Sequence, residues 1–194
     1  RAALPAAPMN PRHLPNAITG LRLAMAPLLL WLLWARHFEW ALGVALVAGA
    51  SDLLDGFLAK RFGWQSRLGS LLDPIADKTM MGLAVLGLWL VAMLPGWLVG
   101  LVLVRDLVIV AGALAWWKVG GPFDGKPTVL GKLCTLAQLG LVLLCLVELA
   151  GWLLPLQARK EAIIAAALLT LTSGVDYVVR YGARAWLTKR NTSA

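Results

Sequence analysis

Leu21-Arg-Leu-Ala-Met-Ala-Pro-Leu-Leu-Leu-Trp-Leu-Leu-Trp-Ala35 contains a single charged residue, Arg22. Extended back to Leu14, the run is long enough, at about 1.5 Å per helical residue, to cross about 30 Å of hydrocarbon. Five further runs read the same way: about Trp40–Arg61, Ser70–Met93, Gly96–Lys118, Thr128–Leu154 and Arg159–Trp186. A Leu94-Pro95-Gly96 turn separates the third from the fourth. No strand alternation of the outer-membrane barrel kind is visible, so the expectation is helical throughout. The predicted fold is therefore an all-α integral membrane protein, a single bundle of six transmembrane helices over 14–187. Residues 1–13 form an N-terminal cytoplasmic segment and 188–194 a C-terminal tail.

Composition agrees. Of 194 residues, 60% are hydrophobic and 14% charged, against about 45–50% and about 25% in soluble domains. A mean hydropathy of +0.76 excludes a disordered or collagen-like chain. The segment before Leu14 is rich in Ala and Pro and lacks the apolar core of a cleavable signal, so the first span is expected to be retained. Cys134 and Cys145, in one apolar run without partners, read as packing residues rather than as a metal or disulfide site. Gly96 and Gly100 read as ordinary helix packing rather than a dimer seam.

Eighteen Lys and Arg face ten Asp and Glu, a net charge of +8. With six spans, both termini share a side with the loops after spans two and four. That side collects Arg12, Lys60, Arg61, Arg67, Lys118, Lys126, Lys132, Arg180, Arg184, Lys189 and Arg190, against Arg36, Arg159 and Lys160 opposite. The excess of basic residues predicts cytoplasmic termini. Trp40, Trp97, Trp116, Trp117, Trp152 and Trp186 fall at predicted span ends, as an interfacial aromatic belt requires. Nucleic acid is not the expected partner, because the basic residues are scattered and no soluble domain carries a groove.

Four of the ten acids sit in one stretch. Asp52 and Asp55 are three apart at the expected end of span two; Asp73 and Asp77 are four apart at the start of span three. Either spacing places a pair on one helix face. A short connection would make the two helices antiparallel neighbours and bring four carboxylates to one depth near the membrane surface. Pro74 is tolerable there if it falls in the first turns of its helix. Unneutralised carboxylates at that distance repel, so a cation is expected between them. Oxygen donors favour Mg²⁺, with Mn²⁺ or Ca²⁺ as alternatives, and four carboxylates suit a pair of ions of the kind that assists displacement at phosphorus. Gly56, Ala59 and Gly69 leave room for a bulky group, and Lys60, Arg61 and Arg67 supply charge for phosphates. The competing explanation, acids that merely cap helices and pair with nearby bases, suits one Asp better than four.

The stretch Asp52-Leu-Leu-Asp55-Gly56-Phe-Leu-Ala59-Lys60, eight residues, then Gly69-Ser-Leu-Leu-Asp73-Pro-Ile-Ala-Asp77 resembles the CDP-alcohol phosphotransferase signature D-x2-D-G-x2-A-R-x8-G-x3-D-x3-D. Lys60 stands where the family usually has Arg, with Arg61 beside it. The resemblance extends over the six spans and includes Leu14-Pro15-Asn16-Ala-Ile-Thr19-Gly-Leu-Arg22. It implies a membrane transferase, commonly homodimeric, that moves a phosphatidyl group from a CDP-linked lipid such as CDP-diacylglycerol to an alcohol and releases CMP. By the same resemblance Asp52, Asp55 and Asp73 bind two metal ions, and Asp77 joins one metal and acts as the base. Gly56, Ala59, Lys60 and Gly69, with Asp52, would border the CDP group. The implied location is the bacterial cytoplasmic membrane with the site facing the cytoplasm; the mitochondrial inner membrane is the alternative.

Two acceptors compete: phosphatidylglycerol, in the CMP-forming cardiolipin synthase branch, and glycerol 3-phosphate, in the phosphatidylglycerophosphate synthase branch. Arg105-Asp106 in span four and Lys126-Pro-Thr128-Val-Leu-Gly131-Lys132-Leu-Cys134-Thr135 in span five resemble the first branch. Ala113 and Cys134 occupy places where the second has further cations, which a dianionic acceptor would use. Cys134 also departs from the Asn of the first branch. Arg105, Lys126, Lys132, Arg67 and Arg61 are the candidates for acceptor or lipid phosphate. Arg105 with Asp106 could equally be a buried structural pair, and Arg22 and Asn16 could line the site or satisfy helix ends. Asp176, Tyr177, Arg180 and Glu148 have no role that the sequence assigns. An ion-coupled transporter is the reading from another class, but acids clustered at one end without repeated halves argue against it.

Overall fold

A computed structural model describes the backbone of residues 14–62, 67–119 and 128–192, and the side chains of residues 19–54, 75–112 and 128–180. Six helices and no strand occur among the described residues: α1 (Leu14–Trp34), α2 (Phe38–Phe62), α3 (Arg67–Leu90), α4 (Gly96–Val119), α5 (Val129–Leu149) and α6 (Leu156–Thr192). Each expected span has its helix. The ends differ: α3 starts three residues early, so Pro74 is its eighth residue rather than lying near its first turn. Proline has no N–H, so the carbonyl of residue 70 loses its helical donor. At 37 residues, α6 is about 55 Å long, longer than a bilayer needs, and it runs through most of the segment expected as a tail.

Helices α1, α3 and α5 end by one device. Arg36 (φ 62°), Ala92 (φ 59°) and Gly151 (φ 94°) take the left-handed conformation just after each helix. After α1, the Arg36 N–H donates to the Leu33 carbonyl at 3.0 Å and the His37 N–H to that of Leu32 at 2.9 Å. Ala92 and Met93 repeat this pairing onto Trp89 and Leu88, and Gly151 and Trp152 onto Glu148 and Val147. Each motif satisfies carbonyls that a helix end would otherwise leave open. This is why α5 stops at Leu149 instead of Leu154. Only the third turn uses glycine, so the first two carry the steric cost of a side chain at positive φ.

The chain divides into two compact units, residues 1–84 and 85–194. In the first, α1 packs on α2, burying Ala26, Leu29 and Leu33 of α1 with Ala41 and Ala48 of α2. The alanines allow close approach of the helix backbones. In the second unit, α4 and α5 pack on α6, and Leu98, Leu141, Leu146 and Ala166 are buried. Gly96 has a specific use there. A Cβ at this position would lie 3.0 Å from Trp89 Nε1, so glycine lets the indole close the α3–α4 turn.

Large apolar side chains also cover the outside, among them Leu46, Val104, Leu107, Leu136, Leu168 and Val175. Such a surface is a liability in water and ordinary in lipid. Among the described residues, Val129–Leu149 and Leu156–Arg180 are long and apolar enough to cross a membrane, and Thr19–Trp34 is a shorter apolar segment. Trp40, Trp97 and Trp152 are exposed, as an interfacial belt requires. The side chains of Trp116, Trp117 and Trp186 lie outside the described residues.

Candidate active site

The acid pairs lie on α2 and α3, but further inside the helices than their sequence positions suggest. Helix α2 continues ten residues past Asp52 to Phe62, and α3 begins six residues before Asp73. Asp52 is exposed. Its Oδ1 accepts from Arg22 Nη1 at 2.6 Å, the guanidinium lying 3% exposed on α1 and the carboxylate 53% exposed. Asp52 Oδ2 has no partner among the described residues. Asp77 is exposed on α3. The side chains of Asp55, Gly56, Ala59, Lys60, Arg61, Arg67, Gly69 and Asp73 lie outside the described residues, as does Lys126 altogether. Among the described residues no three His, Cys, Asp or Glu side chains gather as a metal site. The donor chemistry nevertheless fits a hard divalent cation. All four candidates are carboxylates, and Asp52 offers a solvent-facing group with one oxygen uncommitted.

The second unit holds a different constellation. Arg105 of α4 is 7% exposed. Its Nη1 donates to Asp106 Oδ1 and its Nη2 to Ser173 Oγ on α6, both at 2.7 Å. Two glycines lie beside the side chain: a Cβ on Gly131 would stand 3.7 Å from Arg105 Nη2 and one on Gly174 3.6 Å from Arg105 Cγ, both ordinary contact distances. Gly131 belongs to the first turn of α5, which Thr128 caps by accepting from the Gly131 N–H at 3.0 Å. A buried guanidinium beside the positive end of a helix is a place where an anion is favoured. Among the described residues Arg105 Nε is buried without a hydrogen-bond partner. Lys132, in the same first turn, is exposed. Arg105 is thus a buried structural pair with Asp106 and also a cation next to a helix start.

Cys134 is fully buried. It sits between α5 and α6 in a neutral network: Gln138 Nε2 donates to Thr170 Oγ1 at 3.0 Å and to Cys134 Sγ at 3.4 Å, and Thr170 Oγ1 donates to the Ala166 carbonyl at 2.6 Å. Cys134 and Gly131 are three apart and share a helix face, so this network lies one turn along from Arg105. Thr170, Ser173 and Gln138 were not singled out by the sequence, although polar side chains three apart at 170 and 173 in an apolar run mark one face. Tyr177 follows on that stripe. Its hydroxyl donates to the Ile109 carbonyl at 2.9 Å, and its ring fits only because residue 112 is glycine, where a Cβ would come within 2.9 Å. Asp176 pairs with Arg180, and Arg159 joins Glu148 at 3.2 Å across the α5–α6 turn. These residues hold helices and have no evident part in the chemistry.

The sequence model of the CDP-alcohol phosphatidyltransferase family matches residues 12–180. The chain is 37% identical over 178 residues to the "probable phosphatidylglycerophosphate synthase" of Mycobacterium tuberculosis, covering 87% of this chain and 81% of that protein. It is 36% identical over 178 residues to the cardiolipin synthase (CMP-forming) of Streptomyces coelicolor, covering 86% and 81%. The human cardiolipin synthase (CMP-forming) is 38% identical over 111 residues, covering 57% of this chain and 37% of that protein. The two bacterial relatives, at nearly equal identity, carry the names of two different synthases.

Proposed function

The chain belongs to the CDP-alcohol phosphatidyltransferase family, and on that premise we propose that it is a membrane enzyme that makes cardiolipin from CDP-diacylglycerol and phosphatidylglycerol. In this reading all six helices cross the bacterial cytoplasmic membrane as one bundle, both termini and the site face the cytoplasm, and the enzyme is a homodimer. The observation that carries the acceptor assignment is the state of Arg105. Its charge is already balanced by Asp106 at 2.7 Å, and position 134 is a buried, neutral cysteine. A balanced Arg105 and a neutral residue 134 suit a singly charged phosphodiester better than the dianion of glycerol 3-phosphate.

Asp52, Asp55, Asp73 and Asp77 would hold two Mg²⁺ ions, or Mn²⁺, which when bound polarise the pyrophosphate and offset the charge of departing CMP. Asp77 takes the proton of the acceptor hydroxyl, a weak nucleophile near neutral pH that needs a carboxylate within hydrogen-bond reach. The hydroxyl oxygen bonds to the phosphatidyl phosphorus as the bond from that phosphorus to CMP breaks, and the electron pair leaves on the CMP phosphate. Gly56, Ala59 and Gly69 admit the CDP group, while Lys60, Arg61 and Arg67 counter its charge. Arg105, Lys132 and Lys126 remain the candidates to meet the acceptor or lipid phosphate.

The test is an acceptor panel. Purified enzyme with CDP-diacylglycerol and Mg²⁺ or Mn²⁺ is offered phosphatidylglycerol, glycerol 3-phosphate, inositol phosphate or serine. Product with phosphatidylglycerol supports the assignment. Product with glycerol 3-phosphate alone overturns the acceptor and leaves the reaction class standing.

A further inference from the structure

Arg22 is the sole charged residue between Arg12 and Arg36, and its side chain is all but removed from solvent. Burying a guanidinium costs several kcal/mol, and an apolar residue of similar volume usually serves helix packing as well or better. An ion pair at this place is therefore poorly explained by stability. Its carboxylate partner on α2 is not its sole contact, and that partner is unusual as well. Asp52 is half in solvent and is one of the four carboxylates assigned above to a divalent cation. The arginine reaches it from a different helix, Nη1 to Oδ1 at 2.6 Å, with Thr19 buried one turn earlier on the same α1 face. Since α1 is packed along α2, the guanidinium is fixed by the helix pair rather than by a flexible loop. Among the described residues one oxygen of Asp52 is held and the other is not.

We propose that Arg22 is a positioning residue for Asp52, limiting it to one outward oxygen and offsetting its charge, so that a divalent cation binds weakly until an anionic nucleotide arrives. The proposal rests on the reading of Asp52 as a metal ligand. Two effects oppose each other at such a site. A fixed carboxylate gives up less entropy on binding a cation, a small gain. A unit positive charge held beside the carboxylate repels a divalent ion, and against two charges on the ion this outweighs the small entropic gain. The repulsion wins in the empty enzyme. It reverses for a pyrophosphate, which the same positive charge attracts. Arg22 thereby couples the cation to the nucleotide.

The coupling is read without turnover, by titrating the purified full-length protein with Mn²⁺ and following free Mn²⁺ by electron paramagnetic resonance, with and without CDP. Arg22→Met keeps the packing volume and removes the charge; Arg22→Gln serves if the Met variant does not fold; Arg22→Lys keeps the charge. The Met or Gln variant is expected to bind Mn²⁺ about tenfold more tightly without CDP, and CDP to strengthen that binding less than in the wild type. The Lys variant is expected to stay within about threefold of wild type. Unchanged or weaker Mn²⁺ binding in the uncharged variants overturns the proposal, since a merely structural arginine would loosen the site. Asp52→Asn separates the two readings. If it leaves Mn²⁺ binding intact, the assignment of Asp52 as a ligand fails and the proposal with it. If it weakens binding while Arg22→Met does not strengthen it, the role of Arg22 alone fails.

Discussion

Arg22 of α1 and Arg105 of α4 are 3% and 7% exposed, and each grips a carboxylate, Asp52 at 2.6 Å and Asp106 at 2.7 Å. The carboxylates differ. Asp106 is 13% exposed, its side chain enclosed with the arginine; Asp52 is 53% exposed and on another helix. Around Arg105 a serine and two close-set glycines complete an internal knot that ties α4 to α6. Around Arg22 the positive charge is buried and the negative charge is turned outward. A buried charge needs a partner in both places, but only in the first unit does that partner remain available to a ligand. The same kind of pair can lock a bundle or prepare a reactive group, depending on which member meets solvent.

The largest test of this contrast removes carboxylates on the solvent-facing side. Asp77→Asn is expected to lower CMP release from CDP-diacylglycerol by about 10²–10⁴-fold, the range for loss of a general base. Its thermal unfolding in detergent should move little, because the group is exposed. Undiminished, Mg²⁺-dependent CMP release would remove Asp77 from the chemistry. On the enclosed side the order of effects inverts. Asp106→Ala leaves a buried guanidinium without its carboxylate and is expected to cost about 3–5 kcal/mol of stability; a melting curve matching that of the wild type would break the contrast.

Smaller effects sharpen it. Thr170→Val takes the acceptor from Gln138 Nε2 and should cost about 1–2 kcal/mol, with CMP release within about twofold of wild type; a large loss of activity would place the α5–α6 network in the site. The smallest change concerns the turns. Ala92→Gly relieves a side chain at φ 59° and should gain about 1 kcal/mol, while Gly151→Ala should lose a similar amount. Equal melting temperatures for the two would show that these turns relax.

Much of the fold was legible because hydrocarbon imposes a length and a composition on each helix. The Leu14–Ala35 run became α1 almost to the residue, and the Leu94-Pro95-Gly96 turn separated α3 from α4 as expected. Spacing and the family signature place the acids on α2 and α3, where the helices carry them. Pro74 was placed wrongly because nothing local announces that α3 begins at Arg67 rather than Ser70; a helix start without a strong cap is set by what the first turn packs against. Cys134 and Cys145, read from the sequence as packing residues, are both buried; that Cys134 meets Thr170 of α6 was not legible, because periodicity alone cannot tell which of several apolar faces a membrane helix turns inward.

By itself the sequence determined that this chain is a helical membrane protein of the CDP-alcohol phosphatidyltransferase family, with Asp52, Asp55, Asp73 and Asp77 matching the acids of the family's sequence signature. Hydropathy and residue spacing are local properties, and both survive in one dimension. The tertiary structure alone decided that Arg22 grips Asp52, that Ser173 receives Arg105 from 68 residues away, and that Cys134 is buried against Thr170. Those pairings depend on which helices pack together and at what rotation. In a chain apolar on nearly every face, that choice is made by close packing and buried hydrogen bonds between helices.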